Sequence, residues 1–201
     1  MSAKPTLILL AAGASRRLGE PKALVDLGGR SPLARLMAAG KSVCDDAPLC
    51  VAGAHFAEIE TAAPSGLEVI EHSHWSAGRT GSIQAAQNAR PGRDLLLAPV
   101  DVPLVPSVVF EQMLAAWQKE DAPCRGWLAP FVRVQGEIRM GHPILIGRDL
   151  ATELNQLGPN EPLRFLRANA VPLFRVQVMS ERILDDLDTQ ADLKNLRTHL
   201  E

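Results

Sequence analysis

Small residues and cations stand together near the start of the chain, in the stretch AAGASRRLGEPK at residues 11–22. The alanines and glycine at 11–14 let a backbone approach a ligand closely, and successive N–H groups of such a loop can form an anion-binding concavity. Arg17 adds a planar fork of donors, and Lys22 adds a mobile point charge. The combination suits a triphosphate, although a solvated basic turn shares the same composition. The sequence patterns of the P-loop and of the dinucleotide-binding fingerprint are both missing.

A single carboxylate follows the apolar run DLLLAPV at residues 94–100. Burying Asp101 there without a partner would cost several kcal/mol. The aspartate is a poor helix N-cap, because Pro106 and Ser107 provide a better helix start further along the chain. Asp101 is therefore a candidate ligand for Mg²⁺, which proteins hold through one or two carboxylates together with substrate phosphates.

More carboxylates occur in ILDDLDTQADL, residues 183–193. Asp192 stands at capping-box spacing from Thr189 and suits the start of a helix. Asp185, Asp186 and Asp188 remain as acidic residues that could supply a second metal ligand, with a plain charged turn as the alternative interpretation.

The elements that must position these residues alternate along the chain. Helix starts are indicated by Ser31 before Pro32, and by Ser82, Ser107 and Thr189. Predicted strands occupy residues 6–12, 49–54, 67–71, 94–100, 143–147 and 173–179, and predicted helices occupy 31–43, 82–89, 107–120 and 189–200.

This alternation predicts an α/β fold: one domain over residues 1–201, a Rossmann-like three-layer sandwich with a mostly parallel sheet. Ligands of such sheets bind outside the carboxyl ends of the strands. The loop at 11–22 and the segment PVDVPL at 99–104 follow strands, whereas GHP at 141–143 stands at the start of one.

Composition restricts the class of protein and its partners. The 201 residues are 46% hydrophobic and 22% charged, which indicates a soluble globular chain, and a net charge of −2 excludes a globally basic nucleic-acid binder. Three cysteines without C-x-x-C spacing favour reduced thiols over disulfides or zinc. The apolar start resembles a signal peptide, but Arg16, Arg17 and Lys22 follow at once, and no later run reaches the ~20 residues of a membrane span. A cytoplasmic protein is expected.

The stretch LAAGASRRLGEPK, Leu10 to Lys22, resembles the L-A-[AG]-G-x-S-x-R-x-G-x-x-K signature of the nucleotidyltransferase superfamily. PVDVPL and GHPILI resemble segments of its molybdenum cofactor cytidylyltransferase branch. The likeness runs from residue 7 to about 193, is weakest over 150–170, and implies a fold of the nucleotide-diphospho-sugar transferase type. By the register of the signature, the arginine of the family falls on Arg17 and not on Arg16.

The resemblance implies a role for each matching residue. Asp101 corresponds to a Mg²⁺ ligand, and Asp188, beside the threonine of the closing motif, to the second, with Asp186 as the alternative. His142 is the acceptor-side candidate. The implied catalytic residues are Arg17, Lys22, Asp101 and Asp188, and the implied nucleotide-binding residues are Leu10, Ala11, Ala12, Gly13, Arg17, Lys22, Ser82, Pro99 and Asp101.

HWSAGRTGSIQAA at residues 74–86 resembles the W-x-x-G-x-x-x-S segment of the family, in which Ser82 would help to read the base. The chain departs from the pattern at Arg79 and Thr80, where relatives often carry a methionine and a small residue. Ala12 stands where guanine-using relatives usually have glycine, and its methyl group leaves less room, which favours a one-ring base.

The expected reaction transfers a nucleoside monophosphate from an NTP, with CTP favoured, to a phosphorylated acceptor of the molybdopterin type, and releases pyrophosphate. Mg²⁺ is the expected cofactor, and a molybdoenzyme or its chaperone is the expected recipient of the product. A guanylyltransferase for the same cofactor and a sugar-1-phosphate nucleotidyltransferase are the alternatives within this chemistry. A nucleotide-binding module that has lost catalysis is the alternative from another class.

Overall fold

The most apolar segments of the chain form the central strands of one β-sheet in the computed structural model, which describes residues 4–200. Strand β1 alternates its burial between two layers, since Leu7 and Leu9 pack on one face of the sheet and Ile8 on the other. The strands are β1 (Thr6–Ala11), β2 (Leu49–Ala52), β3 (Glu68–Glu71), β4 (Leu95–Pro99), β5 (Trp127–Val134), β6 (Glu137–Met140), β7 (Ile144–Ile146) and β8 (Leu173–Gln177).

Strands β3, β2, β1 and β4 lie side by side in parallel, in that order. Strand β7 then pairs with β4 in the antiparallel direction, with Ile144 opposite Leu97. Strand β5 pairs with β6 and β7 along one edge and with β8, in parallel, along the other. Because β7 runs against β4, the first residue of β7 lies near the carboxyl end of β4.

Helices cover both faces of the sheet. On one face, Phe110 and Trp117 of α4 pack with Leu7 and Leu9 of β1, and on the other, Ile83 of α3 packs against Ile8. This arrangement confirms the three-layer α/β sandwich with a mostly parallel sheet. The helices are α1 (Pro32–Gly40), α2 (Phe56–Thr61), α3 (Arg79–Ala89), α4 (Ser107–Lys119), α5 (Arg148–Thr152), α6 (Arg164–Ala168) and α7 (Gln190–Thr198).

Two predicted caps are confirmed, and one predicted helix start is wrong. The hydroxyl of Ser31 accepts a hydrogen bond from the Ala34 N–H group, and Thr189 forms a capping box with Asp192. Helix α3 begins at Arg79 rather than Ser82, because Gly78, at φ +143°, supplies the helix entry one turn earlier. Ser82 therefore lies inside the helix, where it is buried.

The sequence prediction also missed β5 and β6. Strand β5 is an apolar and mostly buried run, but it contains Pro130, which cannot donate a hydrogen bond to a neighbouring strand. Every residue of β6 is exposed, so that segment lacks the apolar run of a buried strand. Within residues 4–200, no helix combines the length and the hydrophobicity that crossing a membrane requires.

Candidate functional site

A cavity of about 330 Å³ lies beyond the carboxyl ends of the parallel strands β1, β2 and β4. This is the edge at which α/β sheets bind ligands. Its lining residues are Leu10, Ala11, Ala12, Gly13, Ser15, Pro21, Lys22, Ala23, His55, Ile59, Trp75, Ser76, Gly78, Arg79, Ser82, Pro99, Val100 and Asp101.

The loop after β1 is closed by one serine. The hydroxyl of Ser15 accepts a hydrogen bond from the Lys22 N–H group at 3.0 Å, and its carbonyl accepts from the N–H groups of Leu18 and Gly19. Within the described chain, the backbone N–H groups from Gly13 to Arg17 donate to no protein acceptor. Five consecutive unpaired donors are what an anion-binding loop requires.

The loop after β2 holds this first loop in place. The Ala12 carbonyl accepts a hydrogen bond from the Ala54 N–H group at 3.1 Å, and the Ala14 carbonyl lies 3.2 Å from Nε2 of His55. A Cβ atom at Gly53 would lie 2.5 Å from both the Ala12 carbonyl oxygen and the Cβ atom of Trp75. Glycine is therefore required for the two loops to approach each other at the cavity.

Asp188 joins the two cations of the first loop. Its carboxylate accepts from Lys22 Nζ at 2.7 Å and from the guanidinium of Arg17 at 2.6 Å. The Lys22 side chain is 13% exposed, whereas that of Arg17 is 70% exposed. The hydrogen bond from Lys22 and the positive charges of both partners hold the pKa of Asp188 below its usual value.

The C-terminal segment reaches this site through backbone contacts. The N–H group of Leu187 donates to the Asp101 carbonyl at 2.7 Å, and the side chain of Gln190 donates to the Leu18 carbonyl at 2.6 Å. The capping box of Thr189 and Asp192 then starts α7 directly after Asp188. Residues from opposite ends of the chain thereby lie at one edge of the sheet.

Asp101, Arg79 and His142 form the second charged group of the site. The guanidinium of Arg79 lies 3.5 Å from a carboxylate oxygen of Asp101, and the Arg79 side chain is 64% exposed. Burial lowers the pKa of His142; the negative charge of Asp101 opposes this shift and the positive charge of Arg79 adds to it. His142 precedes β7, so the antiparallel direction of that strand is what brings the GHP segment to this edge.

Asp186 is the third carboxylate near the cavity. Partial burial and the negative charges of Asp101 and Asp188 raise its pKa. No group of three or more metal-ligating side chains is close enough to form a metal cage anywhere in residues 4–200. The donor set matches Mg²⁺ bound through one or two carboxylates together with substrate phosphates.

The structure gathers most of the sequence-predicted residues at the cavity. Of the predicted set, the residues that line it are Leu10, Ala11, Ala12, Gly13, Lys22, Ser82, Pro99 and Asp101. Arg17 and Asp188 lie outside the wall and connect to it through Lys22, and His142, also outside the wall, is close enough to Asp101 for that charge to act on its pKa. His55, which the sequence analysis did not select, also belongs to the lining, and the glycine of the VAGAH stretch directly after β2 was the available signal. Trp75, which the sequence analysis quoted only as part of the W-x-x-G-x-x-x-S segment, lines the cavity as well.

The segment with the weakest resemblance docks on the start of α3. The Pro159 carbonyl accepts from the N–H group of Gly81 at 3.1 Å, and the Glu161 carbonyl accepts from the hydroxyl of Thr80 at 2.5 Å. Gln84 donates to the carbonyls of Leu154 and Leu157, each at 2.7 Å. These contacts fix the first turns of the helix that carries Arg79 and Ser82.

Solved structures share this fold at low sequence identity. Rv0371c from Mycobacterium tuberculosis H37Rv is 21% identical, with a TM-score of 0.77 over 98% of this chain and 99% of that one; another structure of Rv0371c is a complex with manganese. Molybdopterin-guanine dinucleotide biosynthesis protein A from Archaeoglobus fulgidus is 18% identical, with a TM-score of 0.69 over 97% and 98%. The 2-C-methyl-D-erythritol 4-phosphate cytidylyltransferase from Thermus thermophilus is 18% identical, with a TM-score of 0.69 over 98% of each chain.

No curated protein sequence matches the chain significantly. A family model does match, over residues 7–173, and it describes the MobA-like NTP transferase domain. That range contains the loop after β1, Asp101 and the GHP segment, and it ends before Asp188. The chain therefore belongs to the family of MobA-like NTP transferase domains.

Proposed function

We propose that this protein transfers a nucleoside monophosphate, CMP in preference, from an NTP to the phosphate group of a molybdopterin-type acceptor and releases pyrophosphate. The observation that carries the proposal is the arrangement around Lys22. Three features meet at one edge of the cavity. They are the loop after β1, whose N–H groups find no protein acceptor in the described chain, the nearly buried Lys22, and the carboxylates of Asp101 and Asp188. Family membership supports the nucleotidyl transfer, and the acceptor and the base rest on the resemblance of the GHP and PVDVPL segments.

The residues present are suited to a displacement at phosphorus. Phosphoryl-type transfer leaves the protein mainly the tasks of aligning the groups and stabilising charge. The N–H groups of Gly13–Arg17 and the ammonium group of Lys22 would bind the pyrophosphate part of the NTP, with Arg17 at the solvent side. The acceptor phosphate is already ionised near pH 7, so the site needs no general base.

Mg²⁺ is the proposed cofactor, held by Asp101 and Asp188, with Asp186 as the alternative to Asp188. Asp101 lines the cavity and has a loose cationic partner in Arg79, so its oxygens are accessible to a hard cation. The bound ion would neutralise phosphate charge. When substrate phosphates bind Arg17 and Lys22, Asp188 would lose part of its contact with these two cations, and its oxygens would become available to the metal ion.

The direct experiment measures pyrophosphate release from each of the four common NTPs, with and without molybdopterin. We expect release that depends on acceptor and on Mg²⁺, fastest with CTP. Fastest release with GTP would indicate a guanylyltransferase, and release with a sugar 1-phosphate would change the acceptor class. Binding of a labelled NTP without any release would identify a nucleotide-binding module and overturn the proposal.

The base preference is proposed to depend on Ala12. This residue is 8% exposed, lines the cavity, and has Gly53 packed closely against its carbonyl oxygen. Misfit of an apolar pocket is worth about 1–3 kcal/mol, which predicts a roughly 10- to 200-fold preference for CTP over GTP. Ala12→Gly should reduce that ratio of kcat/KM values, whereas Ala63→Gly, in the segment after α2, should leave it unchanged. An unaltered ratio in Ala12→Gly would exclude this residue as the determinant.

A further inference from the structure

Arg79 is the first residue of α3 and lines the cavity. Its side chain points toward Asp101 and is 64% exposed, while the first turn of α3 is held by the docked segment around Pro159. The backbone is thus fixed, whereas the guanidinium has room to move. The chain also departs from the resemblance at this residue, where relatives often carry methionine.

The cations of the site divide between its two carboxylates. Lys22 and Arg17 both bind Asp188, at 2.7 and 2.6 Å. Asp101 has Arg79 as its one cationic partner within the described residues, at 3.5 Å. That distance is long for a charge-assisted hydrogen bond, which is typically about 2.7–2.9 Å, so Arg79 is a weakly held counter-ion.

We infer that Arg79 binds the phosphate group of the acceptor, and that in the substrate-free site it acts as a provisional counter-ion of Asp101. The inference rests on the proposed function. In-line transfer places the attacking and leaving groups on opposite sides of the α-phosphorus. The side-chain cations at Asp188 are assigned to the leaving pyrophosphate, which leaves Arg79 as the side-chain cation for the attacking group.

The chemistry of a guanidinium fits this assignment. The acceptor phosphate, the α-phosphate of the NTP and the carboxylate of Asp101 would place three anions together. The proposed Mg²⁺ ion would neutralise only part of their charge, so a further cation beside them favours acceptor binding. Arginine presents paired N–H donors that match two phosphate oxygens. The site is thereby selective for acceptors that carry a phosphate monoester, and a neutral hydroxyl acceptor would gain nothing from Arg79.

Two variants and a matched control test the inference. Arg79→Met removes the charge at similar length, Arg79→Lys keeps the charge without the fork, and Arg16→Met makes the same change at an exposed arginine of the first loop. The first readout is calorimetric titration of the substrate-free protein with Mn²⁺, which needs no turnover. Arg79→Met should bind Mn²⁺ about two- to fivefold more tightly, the size of an exposed ion pair, and the other two variants should match the wild type.

The second readout separates the two substrates. Arg79→Met should raise the KM for the phosphorylated acceptor about tenfold or more, with the KM for CTP unchanged, and Arg79→Lys should recover only part of that loss. A rise in the KM for CTP instead, or equal behaviour of Arg79→Met and Arg16→Met, overturns the inference. A wild-type protein that releases no pyrophosphate from any NTP overturns the proposed function itself, and the Mn²⁺ titration then still decides whether Arg79 competes for Asp101.

Discussion

Asp188 and Asp101 stand at two ends of one site and are neutralised in different ways. Asp188 is bound by two cations at hydrogen-bond distance, one of them nearly buried. Among the described residues, Asp101 faces a single, exposed arginine at 3.5 Å. The Asp188 end is held by a closed loop and a capped helix, whereas the Asp101 end depends on one exposed side chain and the GHP segment.

This difference indicates which part of the site is preorganised. The end that would receive the triphosphate has its donors in place before any ligand arrives, which reduces the cost of ordering them on binding. The end that would receive the acceptor is adaptable. We therefore expect substitutions at the Asp188 end to change NTP binding, and substitutions at the Asp101 end to change the transfer step or acceptor binding.

The largest effect is expected for Asp101→Asn, which should lower turnover by about 100-fold or more, since losing even a group that only orients a metal ligand costs ~10–100-fold. Pyrophosphate release at limiting Mg²⁺ is the measurement, and an unchanged melting temperature is the control for folding. Asp188→Asn should lower turnover much less in the Asp101→Asn variant than in the wild type, because the two carboxylates act as a unit. Turnover near the wild-type value would remove Asp101 from the metal site.

Lys22→Ala should come second. A charge-assisted contact to phosphate is worth about 1.5–3 kcal/mol, so the requirement for NTP should rise about 10- to 150-fold while the acceptor KM stays constant. Steady-state kinetics with each substrate varied in turn separates the two. A change confined to the acceptor KM would contradict the assignment of the Asp188 end to the triphosphate.

Arg17→Ala should have a smaller effect, about two- to fivefold on the KM for NTP, because the Arg17 side chain is 70% exposed. Arg16→Ala is the matched control: it keeps the backbone N–H group and removes only an exposed side chain, so it should change both KM values far less. Comparing the two single variants in the same assay tests which arginine corresponds to the arginine of the signature. An equal rise in the KM for NTP in both would show that Arg17 is not that residue.

Thr189→Ala should have the smallest effect and tests whether α7 positions Asp188. Loss of the N-cap should lower the free energy of unfolding by about 1 kcal/mol, and the melting temperature by about 2–4 °C for a chain of this size. The KM for NTP should rise slightly because Asp188 is then held less firmly. Ser31→Ala removes the same kind of cap from α1, so it should lower the free energy of unfolding by a similar amount without changing either KM. Identical kinetics of the Thr189→Ala and Ser31→Ala variants would contradict a positioning role for Thr189.

Local features of the sequence determined much of this protein. Alternating apolar runs and helices predict the three-layer sandwich, because burial of one face is encoded residue by residue along each element. Ser31 and Thr189 mark two helix starts, because an N-cap depends only on the next three residues. The loop from Leu10 to Lys22 and the single carboxylate after β4 could be selected as candidates for the same reason: their chemistry lies in a few adjacent residues.

Tertiary structure decided what depends on long-range pairing. The direction of β7 follows from its partners β4 and β5, and this direction brings His142 to the edge that holds Asp101. Strand β6 has no local apolar signal and pairs with β5 across a two-residue turn, whereas β5 also pairs with β7 and β8 further along the chain. The contact of Asp188 with Lys22 joins residues 166 positions apart. Spacing along a chain records local periodicity, but the direction of a strand and the partner of a charge are settled only when the whole sheet is assembled.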